Sequence, residues 1–462
     1  MSRGITIRLS AAALALITAA VMIAPSGARG YREVSTEIAP GVIHTKIRDP
    51  KGPWKIHVIS IELDQVSTIE PALATRKLPG AETTSSIASR YGALAAINGD
   101  YMRESGRPVM LFAQDGELGQ SALTLGVNFA VDESESSAFI RRQVPRMWFR
   151  EMDSGAEHVI NSYNAGWPGA DQIAAFSALG GRDEKPPYGA CSARLYPTEG
   201  PRHSSTGVGV GQSHFVHQVA CKDGRMFPKQ GRVVSTPVAG FKSAEITGLT
   251  PGEQVELGWA LEWPGVIETI GGNPTLVRDG EIFIGRGDTS FFRRHPRTGV
   301  GYTADGRVLF VTVDGRQAGY SVGMTPRRFA KLFRSLGATY ALNLDGGGST
   351  TMVVNGDVVN RPSGGSQRPV SSALLLLPGP DPAPTATPRP APTSSPTTEP
   401  TPTPSELVPD IGPDVRQTQS EVWLDVVTDP ASTGGLADWL RTRGIRLHGS
   451  LREAAWLFSR LR

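Results

Sequence analysis

Between Pro378 and Ser405 the chain is dominated by proline and threonine, as in Ala386-Thr387-Pro388 and Thr401-Pro402-Thr403-Pro404. Such a stretch lacks the apolar side chains of a core, and its prolines favour extended polyproline geometry. It is read as a spacer, and it divides the 462 residues into a main body, 31–377, and a small C-terminal module, 406–462. The module predicts a compact α/β unit. Glu421 to Thr428 alternates like a strand, Leu436 to Arg443 reads as a helix closed by Gly444, and Leu451 to Leu461 reads as a second helix. From Leu436 onward six arginines face only Asp438 and Glu453. This face either docks on an anionic envelope polymer or is a solvated or body-packed surface.

The N-terminus reads as an export signal over residues 1–28. Arg3 and Arg8 precede an apolar run from Leu9 to Ala24, Pro25 breaks it, and Ser26-Gly27-Ala28 supplies small residues for cleavage. The run is short for a membrane span, so a secreted or extracytoplasmic product is expected, with an uncleaved anchor as the alternative. In an oxidising compartment Cys191 and Cys221 are expected to pair, the other reading being two buried thiols. The net charge of +3 is small for this length, and no basic run suggests a nucleic-acid groove.

The body predicts a mixed α+β or α/β fold, with mixed β-sheets and flanking helices. Strands are expected at Ile56–Leu63, Leu94–Ile97, Val308–Val313, Tyr340–Leu344 and Thr351–Val354, and a short helix at Thr83–Tyr91. Thr325 caps a second helix, with Pro326 at its first position and Phe329, Leu332, Phe333 and Leu336 on one face. The order strand 308–313, helix, strand 340–344 suits a βαβ crossover with parallel strands, which would put Asp314 and Asp345 on one sheet edge.

Gly92-Ala93-Leu94-Ala95-Ala96-Ile97-Asn98-Gly99-Asp100 returns 245 positions later as Gly337-Ala338-Thr339-Tyr340-Ala341-Leu342-Asn343-Leu344-Asp345. Each copy follows a helix and ends a strand in Asn-x-Asp. Either the body has two pseudo-symmetric halves, each bringing one motif to a shared cleft, or each motif is a site in its own right.

Four clusters carry chemistry. They are Asn98-Gly99-Asp100-Tyr101, His295-Pro296-Arg297-Thr298, Asp314-Gly315-Arg316, and the string from Asn343 through Gly346, Gly347, Gly348, Ser349 and Thr350 to Thr351. Consecutive glycines let a ligand approach the backbone and turn N–H groups toward an anion, although a tight hairpin turn would use them too. Arg297 and Arg316 have the guanidinium fork that phosphate oxygens accept. His295 is either a general acid or base or a loop residue fixed by Pro296.

With Gly271-Gly272, Leu276-Val277-Arg278-Asp279-Gly280 and Gly323-Met324-Thr325 added, these motifs resemble, in order, the phosphodiester glycosidase domain family. The likeness runs over most of Ala93 to Leu377 and is densest after Ile270. It departs at Asp100-Tyr101, where the family often has Gly-Phe, and it is weak over Ser134–Gly265. The resemblance implies hydrolysis between a sugar C1 and a phosphate oxygen. For such a reaction Asp345 is the preferred carboxylate to activate water or stabilise the sugar cation, Asp314 the second carboxylate, and Arg297 a group that holds the departing phosphate, and these three are the expected catalytic residues. Asn98, Asp100, Arg316, Asn343, Gly346, Gly347, Gly348, Ser349 and Thr350 would bind a carbohydrate phosphodiester, such as an envelope polymer or exopolysaccharide. No cofactor is required by this reading. A competing one has Asp100, Asp314 and Asp345 hold a divalent metal ion that promotes P–O cleavage. A non-enzymatic alternative is an envelope polysaccharide-binding protein.

Overall fold

The computed structural model describes residues 30–379, apart from 64–66, 124–125, 133–136, 168, 181–188, 199–208, 222–225, 227, 229–230 and 264. The export signal, the C-terminal module and all of the spacer from residue 380 lie outside the described residues.

The mixed α/β expectation is overturned. The body is mainly β, with 26 strands in four sheets against three α-helices among the described residues. Nearly every strand neighbour is antiparallel; Ser162–Tyr163 beside Ala174–Ser177 is the parallel exception. The reason is physical. Helices Thr84–Tyr91 and Pro326–Ser335 carry the strongest local signals, each with a threonine whose side chain accepts a backbone N–H at its first turn. Strands such as Ser162–Tyr163 and Glu281–Ile282 are two residues long and have no room to show alternation.

One eight-stranded sheet carries most of the chemistry. In spatial order it runs Arg32–Ala39, Val42–Asp49, Trp54–Glu62, Arg307–Val313, Arg297–Thr303, Ala338–Asn343, Thr275–Arg278 and Glu281–Ile282. Strands Arg307–Val313 and Ala338–Asn343 do run the same way, but they are not neighbours. Arg297–Thr303 lies between them, antiparallel to both. Helix Pro326–Ser335 packs Phe329 and Phe333 on this sheet, over Val277, Leu309, Val311 and Ala341. Gly299 and Gly301 make room for it, since a Cβ at either position would meet those phenylalanine rings at 2.9 to 3.0 Å.

The two pseudo-symmetric halves do not appear. Strand Ala95–Asn98 lies in a five-stranded sheet between Met352–Val354 and Ser372–Pro378, whereas Ala338–Asn343 belongs to the eight-stranded sheet. What repeats is local: a helix, a glycine in the left-handed region (Gly92 φ 65, Gly337 φ 87) and a strand. The main core lies where these two sheets meet a second five-stranded one, with Ile59, Ile97, Phe129, Ile270, Phe310, Leu342 and Leu374 in one buried cluster.

The middle of the chain forms the other eight-stranded sheet, including Arg146–Glu151, Ala190–Pro197, Val210–Ala220 and Gln254–Ala260, over its own core. There Ser192 pairs with Ala220, so Cys191 and Cys221 continue the same register. They form a disulfide with Cα atoms 4.0 Å apart.

Candidate functional site

The strand register explains why distant motifs meet. Arg297 pairs with Val313, and Gly299 pairs with Asn343, so Arg297, Asp314 and Asp345 come to one end of one sheet. The other Asn-x-Asp motif is joined to them by hydrogen bonds. Asn98 Nδ2 donates to the Asp345 carbonyl (2.7 Å), and the Asp345 N–H donates to the Gly99 carbonyl (3.1 Å). Asn98 Oδ1 accepts from Thr298 Oγ1 (2.8 Å) and the Thr351 N–H (3.2 Å). Asn98, which is fully buried, is thus the clasp between two sheets. Gly99 is needed between them because a Cβ there would meet Ile270 and Ser372 at 2.6 Å.

Asp345 keeps 14% of its side chain exposed. Its Oδ2 accepts from Ser349 Oγ (2.5 Å) and from Arg368 (3.0 Å). Burial raises its pKa above the ordinary aspartate value, while Ser349, Arg368 and the Gly346 N–H pull the other way. Arg368 also donates from Nε to Ser349 Oγ (2.9 Å) and lies beside Gly348. Sequence reasoning misses Arg368, which sits in a loop 19 residues beyond Ser349 with no motif around it.

The glycine string forms a single 3-10 turn, Gly347–Ser349. The Gly347 N–H donates to the Pro296 carbonyl (2.9 Å), which seats the turn against Arg297. The Arg316 guanidinium lies over Gly347, where a Cβ would approach it to 3.0 Å. Arg316 is exposed and has no acidic partner among the described residues. Its Nε–H donates to His295 Nδ1 (3.2 Å), which leaves His295 Nε2 to carry the proton donated to the Ser290 carbonyl (2.8 Å). Burial lowers the His295 pKa, and Arg316, Arg297 and Arg293 lower it further, so the ring is neutral and acts as an acceptor that aims Arg316.

Asp314, Arg297 and Asp100 reach the same end of the molecule with most of their donors or acceptors already engaged. Asp314 accepts from Asn360 Nδ2 (3.0 Å), from the Arg361 N–H at both oxygens (3.0 and 3.1 Å) and from the Tyr320 hydroxyl (3.3 Å). Asn360 also donates to the Thr350 carbonyl, so Asp314 braces the back of the glycine turn. Arg297 is 3% exposed; its Nε binds the Met324 carbonyl, and its Nη2 binds those of Phe291 and Arg293. Burial lowers its pKa to about 10. Asp100, 1% exposed, accepts from the N–H groups of Tyr101 (2.6 Å) and Met110 (2.5 Å). Burial raises its pKa well above the usual range, and the Asp345 charge adds to that.

Asn343 and Tyr101 form a further pair. Asn343 Nδ2 donates to the Tyr101 hydroxyl (2.7 Å), which donates to the Asn273 carbonyl (2.7 Å). Asn343 Oδ1 and the Thr350 and Thr351 hydroxyl oxygens are buried with no hydrogen-bond partner among the described residues.

The three-aspartate metal reading does not suit this donor set, because Asp100 and Asp314 have their oxygens occupied by N–H and O–H donors. Among the described residues the group of acidic side chains whose oxygens lie within 4.8 Å of one another is Glu70, Asp115 and Glu268, outside these motifs.

Residues 204–377 match the model of the phosphodiester glycosidase family. A segment of 83 residues, 18% of the chain, is 40% identical to the SPbeta prophage-derived uncharacterized protein YomE of Bacillus subtilis (strain 168). A segment of 111 residues, 21% of the chain, is 29% identical to N-acetylglucosamine-1-phosphodiester alpha-N-acetylglucosaminidase of Mus musculus. These segments span 13% and 21% of the two relatives, so the sequence likeness is distant and partial. In fold the chain is similar to a solved hypothetical protein from Synechocystis, with a TM-score of 0.59 and 16% identity over 78% of this chain and 68% of that one.

Proposed function

We propose that this chain, whose residues 204–377 carry the phosphodiester glycosidase match, is a hydrolase that cleaves the bond between a sugar C1 and the oxygen of a phosphodiester. The observation that carries the reading is Asp345. It is a partly open carboxylate with a raised pKa, set beside a glycine turn that has Arg316 on one side and Arg368 on the other.

In this reading water attacks C1, the C1–O bond breaks, and the phosphate monoester leaves with the bonding electrons. Asp345 accepts the proton of the attacking water, a role favoured by a pKa shifted toward neutrality. Arg316, which has no acidic partner among the described residues, meets the charge growing on the departing phosphate. Arg368 holds Asp345 in place and supplies a second positive charge at the turn. Asn98 fixes the Asp345 backbone, and Asn343 with Tyr101 shapes the sugar side. Asp314, Arg297 and His295 are positioning residues. Because a phosphate monoester is already a good leaving group, no strong general acid is required. Export to an oxidising compartment is part of the proposal. It is supported by the N-terminal sequence and by the Cys191–Cys221 disulfide.

The test is hydrolysis in oxygen-labelled water of a sugar-1-phosphate methyl diester. Label in the sugar hydroxyl is expected. Label in the phosphate would mean P–O cleavage, and binding without any release of sugar would favour a carbohydrate-binding protein.

A further inference from the structure

The eight-stranded sheet carries a row of like charges that its own packing does not explain. Arg32 pairs directly with Arg48, and Arg48 pairs directly with Lys55. In the next row of the same face Val34 pairs with Lys46, and Lys46 with His57. Like charges placed opposite each other across strands are destabilising. None of Arg32, Lys46, Arg48 and Lys55 has an ion pair among the described residues. Together with Tyr320 and Val359 they line a groove of about 400 Å³, within the size range of ligand sites, and among the described residues no carboxylate lines it.

The row points at the candidate site. The Asp314 N–H donates to the Lys55 carbonyl (3.0 Å), so Asp314 continues the line Arg32, Arg48, Lys55. One strand further the same register reaches Pro296, whose carbonyl seats the glycine turn. At about 4.8 Å per strand, Arg48 lies roughly 14 Å from that position. The turn after Asp314 joins the two places, since it carries Arg316 over Gly347 and Tyr320 on the groove wall. Lys55 and Arg361 lie over the Tyr320 ring, 5.3 and 5.1 Å from its centre. Asp314 is a single acid beside four basic residues of the groove, so it cannot neutralise them all.

We infer that this groove binds the phosphate groups of further repeats of an extended, phosphodiester-linked glycan whose scissile bond lies at Asp345. The anion-binding character stands on the groove itself; the identity of the anion as more of the same substrate rests on the proposed glycosidase reading. The chain would then act on a polymer in preference to a single capped sugar phosphate.

The test uses the full chain and its Lys46→Gln/Arg48→Gln double variant, both exposed positions, with folding checked by thermal unfolding. The substrates are the methyl diester of N-acetylglucosamine-1-phosphate and a tetramer of the same repeat. The parent is expected to cleave the tetramer with a kcat/KM about tenfold higher, as two exposed ion contacts would supply. The gain should reside in KM and shrink at high salt. The double variant is expected to lose the preference and keep the rate on the methyl diester. Equal treatment of both substrates by the parent, or an intact preference in the variant, overturns the inference. Should the parent cleave neither, the glycosidase reading fails, and calorimetric titration with the intact tetramer judges the groove. Binding by the parent that is lost in the variant supports it; equal binding, or none, overturns it.

Discussion

The two Asn-x-Asp motifs begin alike and end in different work. Both follow a helix, a left-handed glycine and a strand, and they hydrogen-bond to each other through Asn98, Gly99 and Asp345. Asp100 then turns inward and accepts backbone N–H groups from Tyr101 and Met110, so it holds a loop. Asp345 turns toward the glycine turn and is held by side chains, Ser349 and Arg368, in a partly open position. The same local sequence yields a structural carboxylate in one case and a candidate reactive one in the other. The deciding factor is what the next residues supply: backbone donors after Asp100, and glycines followed by Ser349 after Asp345.

The sharpest way to break this contrast is Asp345→Asn. Loss of a catalytic base is expected to lower kcat by on the order of 10²- to 10⁴-fold. Thermal stability should be unchanged or raised, since the variant removes a carboxylate whose ionised form is opposed by burial. A variant with near-parent activity would remove Asp345 from the mechanism.

Asn98→Ala should come next. It strips partners from Thr298, the Thr351 N–H and the Asp345 carbonyl at once, and a loss of about 10- to 100-fold in kcat is expected with a fall in melting temperature. Activity at the parent level would show that the clasp does not position Asp345.

Arg368→Gln sharpens the role of Asp345 through pH. Arg368 lowers the Asp345 pKa, and burial raises it. Removing the arginine therefore raises that pKa further, so the acid limb of the kcat profile should move to higher pH, with about a tenfold loss at neutral pH. An unmoved acid limb would mean that another group sets it.

Asp100→Asn is expected to have the smallest effect on rate, a few-fold. It places an amide where two backbone N–H groups need an acceptor, so stability should fall by about 1–3 kcal/mol in chemical denaturation. A large loss of kcat in a stably folded variant would make the two motifs functional equals.

The grouping of the candidate site's motifs was more legible in the sequence than the fold. Asn98, Asn343, Asp345, the glycine string and Arg316 stand in short, unusual motifs, and the strand register together with the Asn98 hydrogen bonds gathers them. Arg368 has no such frame: its role follows only from where the 361–370 loop returns over Ser349. Asp314 is visible as a strand-end acid, but its engagement by the Arg361 N–H depends on a backbone segment far along the chain. The sheets were misjudged for the same reason. Pairings such as Ala95–Asn98 with Ser372–Pro378 are set by tertiary contacts, and four residues carry too little pattern to announce them.

The placement of Ala95–Asn98 also governs how the molecule can be made. Its two sheet neighbours, Met352–Val354 and Ser372–Pro378, are synthesised more than 250 residues later. Until they emerge, this apolar strand has neither edge covered, and Asn98 waits for the partner that closes the clasp. Folding must therefore finish late and around very distant contacts, a route that is slow and prone to aggregation. A nascent chain would carry this strand open at both edges until residues 352–378 are made.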